Sequence, residues 1–379
     1  MTSAPLSSEE TRRILDLVRR DRKAAEQALA SLTPESQMAL VCEVPLARRA
    51  EVLGLLPEPE AVIPLIPEAE FCFTVKAVGL DDASWLLECA TPEQMVTSVD
   101  LEAWSGYAPD VANLDAWMEA FARTEGPSLV RAASALDREI LVMWLKSRIE
   151  VFQKPAGDED WQIPEHCQTL EGQFYYRARE EGADLEAVTA VLRALFDEDY
   201  WSYFRLMLGV IWELDSDNCE WALRWRTGRL EDLGFPTWDE AMQIYRFLGP
   251  EERGRIPEHA RPLDVEGWRL PVWIPQLPEA GSGHHRVFRA IARLDGEERV
   301  AAFYALVAVA NKVAVADQLP LGDAESTPRA IEKAARLISD GLAHVAAENA
   351  LDDLQVLRKV TLERLFRVGA NLSPESARP

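Results

Sequence analysis

The sequence is short of positive charge and of cysteine, and both shortages exclude classes of protein. Lysine and arginine number 40 against 64 acidic residues, which gives a formal net charge of −24. A chain this acidic repels phosphate backbones, so nucleic acid is excluded as a general partner. The five cysteines are scattered and form no C-x-x-C pair, which favours reduced thiols over a disulfide framework.

The sequence also lacks the short motifs that mark common active sites. The patterns G-x-S-x-G, H-E-x-x-H, Walker A and G-x-G-x-x-G are all absent. The five histidines are not paired with an evident nucleophile, so acid–base catalysis has little support. We therefore expect no cofactor, and the sequence gives no support for an enzyme.

Long apolar runs are absent as well. A membrane-spanning helix requires about 18 consecutive apolar residues. The nearest stretch, residues 300–316, is interrupted by Asn311 and Lys312. The N-terminus has no basic region followed by an apolar one, which is the pattern of a secretory signal peptide. We expect a cytoplasmic protein without a membrane span.

Helix starts, in contrast, recur along the first hundred residues. In Thr33-Pro34-Glu35 the threonine predicts a cap, the proline takes the first helical position, and the glutamate lies in the positive first turn. Thr91-Pro92-Glu93 repeats this device. Short helices are marginal alone but bury a continuous core when they stack. The sequence predicts an all-α protein: a short-helix solenoid of the armadillo or HEAT type, followed by a larger helical domain.

Composition divides the chain into six predicted regions. Charged, proline- and glycine-containing stretches indicate boundaries, and apolar stripes at helical spacing indicate packed helices. The regions are an N-terminal solenoid (1–152), a linker or surface loop (153–170), a central helical region (171–249), a proline-rich loop (250–283), C-terminal helices (284–372) and a tail (373–379).

The leucine, proline and glutamate pattern of the N-terminal region resembles that of a known family. The stretch LASLTPESQMALVCEVPLARRAEVLGLLPEPEAVIPLIPE resembles the intracellular N-terminal domain of MgtE-type magnesium transporters. The resemblance covers about residues 28 to 105. It implies a right-handed superhelix of short helices with a regulatory role in sensing magnesium. It does not imply transport, because no membrane part follows, and it assigns no individual metal ligands.

The stretch of residues 208–248 concentrates tryptophan, arginine and carboxylates. Trp221 and Trp225 stand four residues apart on one helical face and can flank an arginine for a cation–π contact. Because tryptophan and arginine dominate interface energies, we predict a binding surface here. Its candidate residues are Trp221, Arg224, Trp225, Arg226 and Arg229. The alternative interpretation, which this spacing indicates more often than a binding surface, is a tryptophan-anchored core helix with a solvated ion pair between Glu220 and Arg224.

Two further hypotheses concern charged residues of the same region. Glu213, Asp215 and Asp217 could hold a hard divalent cation through their carboxylate oxygens. Lys312 interrupts an apolar helix and therefore needs a partner or a path to solvent. The carboxylates that follow Glu213 are candidate partners, so Lys312 is also a candidate binding residue.

A second resemblance rests on WRTGRLEDLGFPTWDEAMQIY together with Asn311-Lys312-Val313-Ala314-Val315-Ala316-Asp317. These segments are similar to an uncharacterised bacterial family known only as a domain of unknown function. The resemblance covers most of the chain and implies no activity.

The leading functional hypothesis is a non-catalytic protein-interaction or regulatory scaffold with an acidic surface in a bacterial cytoplasm. Its partner would be another protein, and a second copy of the chain is a further candidate. The first alternative is a regulatory module that responds to divalent cations. The second alternative is an enzyme that uses the carboxylate cluster with Lys312.

Overall fold

The computed structural model describes residues 8–157, 160–256 and 284–372. Most of these residues are helical, as the sequence predicts. They divide into two compact units between Arg226 and Thr227, which lies inside the predicted central region 171–249. Of the predicted proline-rich loop 250–283, residues 257–283 lie outside the described part of the chain, and so does the tail 373–379.

The N-terminal unit, which ends at Arg226, begins with a series of short helices. They are α1 (Ser8–Arg20), α2 (Arg22–Ala30), α3 (Pro34–Glu43), α4 (Leu46–Leu53), α5 (Pro59–Val62), α6 (Glu68–Val78), α7 (Ser84–Glu88), α8 (Pro92–Glu102), α9 (Val111–Ala122), α10 (Gly126–Ala135) and α11 (Arg138–Arg148). Helices this short depend on packing for their stability. Accordingly α1 packs on α2, and α6 packs on both α4 and α8.

The predicted helix starts at Thr33 and Thr91 are confirmed. The Thr33 side chain accepts a hydrogen bond from the backbone N–H of Ser36 at 3.3 Å. Thr91 accepts one from the backbone N–H of Gln94, whose side chain accepts one from the Thr91 N–H in return. This reciprocal pair is a capping box, and it satisfies two donors that the first turn leaves free.

Two antiparallel strand pairs interrupt the helices. They are β1 (Trp104–Ser105) with β2 (Ala108–Pro109), and β3 (Ile149–Gln153) with β4 (Phe174–Ala178). The apolar spacing of residues 136–151 predicts one helix, and this prediction is wrong at its end, since α11 stops at Arg148 and Ile149 begins β3. The segment 153–170 therefore lies almost entirely between paired strands. Glu150 and Arg177 face each other across the pair and form an ion pair at 2.8 Å.

Three helices follow the second strand pair: α12 (Glu186–Glu198), α13 (Tyr200–Trp212) and α14 (Asp215–Asp232). The apolar spacing of residues 184–196 predicts a helix with one apolar face, and Val188, Val191 and Leu195 of this face are buried in α12. Residues 200–212 are apolar on nearly every side, which predicts a central buried helix, and this prediction fails at both ends of α13. Its Tyr203 and Met207 are buried, but Trp201 and Trp212 at its two ends are 67% and 73% exposed.

The C-terminal unit begins at Thr227, within α14. Its helices are α15 (Trp238–Met242), α16 (Pro250–Arg253), α17 (Arg286–Ile291), α18 (Gly296–Ala316), α19 (Ser326–Asn349), α20 (Asp353–Leu357) and α21 (Leu362–Leu372). One apolar core is centred on α18, α19 and α21 and also includes residues of α17, of α20 and of the segment 244–248. By length and composition α18 could cross a membrane, but a core helix of this kind passes the same test.

Two glycines let α19 and α21 cross at backbone contact. A Cβ atom on Gly341 would overlap the carbonyl group of Leu365, and one on Gly369 would overlap the carbonyl group of Leu337. Because both obstacles are main-chain atoms, neither can move aside without separating the helices. Gly341 and Gly369 are 28 residues apart in the sequence. The rest of α19, all of α20 and the start of α21 lie between them.

A buried ion pair joins α4 to α6 in the N-terminal unit. Arg49 and Glu70 are almost fully buried, and their side chains meet at 2.7 Å. The guanidinium also donates hydrogen bonds to the carbonyl of Cys42 at 2.9 Å and to the hydroxyl of Thr74 at 3.1 Å. This set of partners compensates the desolvation of the arginine.

All five cysteines are free thiols. Cys42 and Cys72 are buried in the N-terminal unit, while Cys89, Cys167 and Cys219 are partly buried. Burial is the main reason that the pKa of the Cys72 thiol is raised to about 12. Burial also raises the pKa of the Cys42 thiol. An apolar cysteine is usually buried, but only two of these five are fully so.

We predict that Gly341→Ala or Gly369→Ala lowers the free energy of unfolding by about 1–3 kcal/mol, because the added methyl forces α19 and α21 apart. Gly228→Ala is the matched control. A Cβ atom there meets nothing within 4 Å, so the change is expected to raise stability by about 0.5–1 kcal/mol. Urea unfolding followed by circular dichroism measures all three, and equal stability of the variants would contradict the backbone contact.

We also predict that Glu70→Ala lowers the free energy of unfolding by about 3–5 kcal/mol, because it leaves the buried guanidinium of Arg49 without its counter-charge. The control is Glu26→Ala, which removes an exposed ion pair with Arg22. That change is expected to cost less than about 1 kcal/mol. Urea titration of both variants checks the prediction, and similar losses in the two would show that the buried pair is not structurally important.

Candidate functional site

The binding residues predicted on α14 lie on an exposed face of the helix. Trp221 and Trp225 are 47% and 48% exposed, and their rings stack with centroids 6.0 Å apart. The guanidinium carbon of Arg224 lies 5.3 Å from the centroid of the Trp221 ring. The cation–π contact expected from the sequence is therefore present. We call Trp221, Arg224 and Trp225 the indole face.

Neither tryptophan of α14 lies on its buried side. Asn218 and Ala222 are buried there, one helical turn apart. One turn further, the Arg226 side chain donates a hydrogen bond to the carbonyl of Asp100 at 2.7 Å and lies over the ring of Trp104. The alternative interpretation of a tryptophan-anchored core helix is thus wrong. Arg226 joins α14 to the end of α8 and to β1.

Arg229 lies in the last turn of α14, beyond Arg226 and within the C-terminal unit. It is partly buried and has interaction partners of its own. Of the three arginines predicted as binding residues, Arg224 is thus the one that stands on the indole face.

The three carboxylates considered as metal ligands are engaged mainly with cations of α11. Arg138 forms an ion pair with Glu213. Lys146 forms one with Asp215 at 2.6 Å and also donates to the carbonyl oxygen of Glu213. Asp217 is exposed and accepts a hydrogen bond from Ser216. Among the described residues, no group of three or more histidine, cysteine or acidic side chains could hold a metal ion.

Lys312 has a partner on another helix, as its position in an apolar segment requires. The partner is Glu363 in the first turn of α21, at 2.7 Å, instead of a carboxylate near Glu213. The second carboxylate oxygen of Glu363 accepts a hydrogen bond from Arg367 at 3.0 Å. The neighbouring Asn311 is buried and donates to the carbonyl of Gly234 at 3.0 Å.

Asp317 directly follows the last residue of α18 and belongs to a second cluster of polar side chains. Its carboxylate accepts hydrogen bonds from the Tyr245 hydroxyl at 2.7 Å and from Lys333 at 2.6 Å. Burial, followed by the hydrogen bond to Asp317, raises the pKa of Tyr245. All three groups are paired within the C-terminal unit, so this cluster has a structural role.

A cleft of about 900 Å³ lies in the C-terminal unit beside Lys312. One face of α18 forms its floor, with Glu298 at one end, Lys312 at the other and alanines between them. The segment 357–363 forms one wall. The end of α14, the turn at 234–236 and Glu240 form the other. Volumes of this order are typical of small-molecule sites.

An ion pair stands at each end of this cleft. Arg358 binds both carboxylate oxygens of Glu298, at 3.0 and 2.9 Å, and Lys312 binds Glu363 at the far end. The hydrogen bond to Glu298 is the main reason that the pKa of Arg358 is raised. Both pairs connect the floor on α18 to the wall formed by residues 357–363.

Most residues of this cleft are missed by the sequence analysis. Ala301, Ala305 and Ala308 are spaced by four and three residues, so they share one helical face with Glu298 and Lys312. A stripe of alanines between two charged residues is the signal that could have identified the floor. The walls carry no such signal, because they come from segments more than 40 residues away on either side of α18 in the sequence.

Comparisons with known proteins place the chain in a family. No curated protein and no solved structure matches it. The resemblance of residues 28–105 to the MgtE N-terminal domain is not shown by these comparisons. A model described as a family of unknown function (DUF6178) matches residues 26–375, and the resemblance to an uncharacterised domain is thereby confirmed. The chain belongs to this DUF6178 family.

Proposed function

We propose that the protein is a non-catalytic interaction module that binds another protein through the indole face. The observation that carries this proposal is the exposure of two stacked tryptophans, each about half accessible to solvent. Burial of apolar surface contributes about 25 cal/mol for each Å² that is removed from water. Two large apolar rings that stay in water do not make this contribution in the protein alone. Tryptophan and arginine are also the residues that most often dominate binding energy at interfaces.

The surroundings of the indole face indicate the chemistry of the partner. Asp217 and Glu220 are exposed one helical turn and one residue before Trp221, and the whole chain carries a net charge of −24. Indole rings attract cations, and an acidic surface raises the association rate of basic partners. The proposed partner segment is therefore a protein segment rich in lysine or arginine.

The short helices of the N-terminal unit fit the scaffold role. We propose that they stack as a superhelix of the armadillo or HEAT type, which presents extended surfaces for binding. A cytoplasmic location belongs to the same proposal. The two alternatives, a cation-responsive module and an enzyme that uses Lys312, gain no specific support. The carboxylates near Glu213 and the ammonium of Lys312 are engaged in separate ion pairs.

We predict that the unchanged protein captures a basic partner protein from a native lysate of its source organism. The double variant Trp221→Ala/Trp225→Ala is expected to lose this partner. Each tryptophan at an interface centre contributes about 2 kcal/mol or more, so binding to the purified partner is expected to weaken by at least about thirtyfold. Quantitative mass spectrometry identifies the partner, and titration calorimetry measures its affinity. Binding is also expected to weaken as salt concentration rises.

The matched control is Trp201→Ala/Trp212→Ala, which removes two tryptophans of α13 that are even more exposed. This control should retain the partner. The proposal fails if the intact protein binds no partner stoichiometrically, or if both double variants lose it equally. Light scattering tests a further outcome: an oligomer that only Trp221→Ala/Trp225→Ala dissociates would assign the indole face to a second copy of the chain.

A further inference from the structure

The cleft beside α18 has features of a small-molecule site that do not depend on the indole face. We propose that it binds an aliphatic amine, with the alkyl chain along the alanine floor and the ammonium group against the carboxylates of the wall. Three observations support this assignment: the shape of the floor, the excess of acidic groups in the lining, and the construction of the two ends.

The floor is apolar and long. Ala301, Ala305 and Ala308 present single methyl groups to the cleft, which leaves volume that larger side chains would fill. Glu298 and Lys312 are 14 residues apart, so the floor extends for about 21 Å along the helix axis. An extended alkyl chain matches this shape. Each methylene group that it buries strengthens binding by about fourfold.

The lining carries more acid than base. Its ionisable side chains are four carboxylates, Glu231, Glu240, Glu298 and Glu363, against Lys312 and Arg358. Glu298 and Glu363 are held by the two cations. Glu231 and Glu240 form no ion pair with any other residue that the structure describes, and both are exposed on the same wall. A cationic ligand complements this excess, whereas an anionic ligand would be repelled by it.

The ends of the cleft are already occupied by charge pairs. The bidentate pair of Glu298 with Arg358 and the shared pair of Glu363 with Lys312 and Arg367 hold these groups in fixed positions. A ligand does not need to break either pair to enter. The ammonium group is therefore assigned to Glu231 and Glu240, which are available, and the alkyl chain to the space between the two pairs.

The test uses the full-length protein and three probes with one chain length: octylamine, octanol and octanoate. Titration calorimetry at low salt is expected to show saturable binding of octylamine, weaker binding of octanol and weakest binding of octanoate. Equal affinity for octylamine and octanoate would overturn the proposal, because the carboxylates would then play no part. Absence of saturable octylamine binding would overturn it as well.

Two variants locate the site. Glu231→Gln/Glu240→Gln is expected to weaken octylamine binding by about fivefold, the size of a partly exposed ion pair, and to leave octanol binding unchanged. Ala308→Leu fills the floor and is expected to weaken both probes by about tenfold or more. The matched controls outside the cleft are Glu251→Gln and Ala347→Leu, both at exposed helical positions.

The charge variant keeps the proposal testable if the filling variant fails to fold, since glutamine preserves the shape of glutamate. Circular dichroism establishes whether each variant is folded. Unchanged octylamine affinity in Glu231→Gln/Glu240→Gln would overturn the assignment of the ammonium group. Unchanged affinity for both probes in a folded Ala308→Leu protein would place the binding outside this cleft.

Discussion

The backbone contact between α19 and α21 at Gly341 and Gly369 is the constraint on which the C-terminal unit depends. The two helices touch through main-chain atoms, which is possible because glycine has no side chain. This contact fixes the separation and the register of the helices. That register determines where the first turn of α21 lies. Glu363 is in this turn, and it pairs with Lys312 of α18. The wall of the cleft is thus positioned by a contact at another place in the same unit.

Local features of the fold could be predicted from the sequence, because their physics is local. The caps at Thr33 and Thr91 involve residues only three positions apart, and both are present. The pairing of β3 with β4 is different, since Ile149 and its partner Ala178 are separated by a long loop. The apolar spacing up to residue 151 favours a helix, whereas residues 149–153 pair as a strand with a segment distant in the sequence. No local signal in the sequence reveals that pairing.

The same distinction applies to the candidate sites. The stacking of Trp221 on Trp225 and the position of Arg224 follow from helical spacing, and the sequence predicts them. Which side of α14 is buried does not follow from spacing, because it depends on Asp100 of α8 and Trp104 of β1. Likewise Lys312 needed either a partner or a path to solvent, and the choice of Glu363 as its partner depends on how α21 crosses α19.

The buried thiol of Cys72 has a consequence for how the N-terminal unit can be observed. Alkylating reagents attack the thiolate, and burial, which raises the pKa of Cys72 to about 12, strongly disfavours that form at neutral pH. The side chain is also inaccessible to a reagent while the unit is closed. The rate at which Cys72 is alkylated therefore reports the transient opening of the packed helices. This measurement needs no inserted probe.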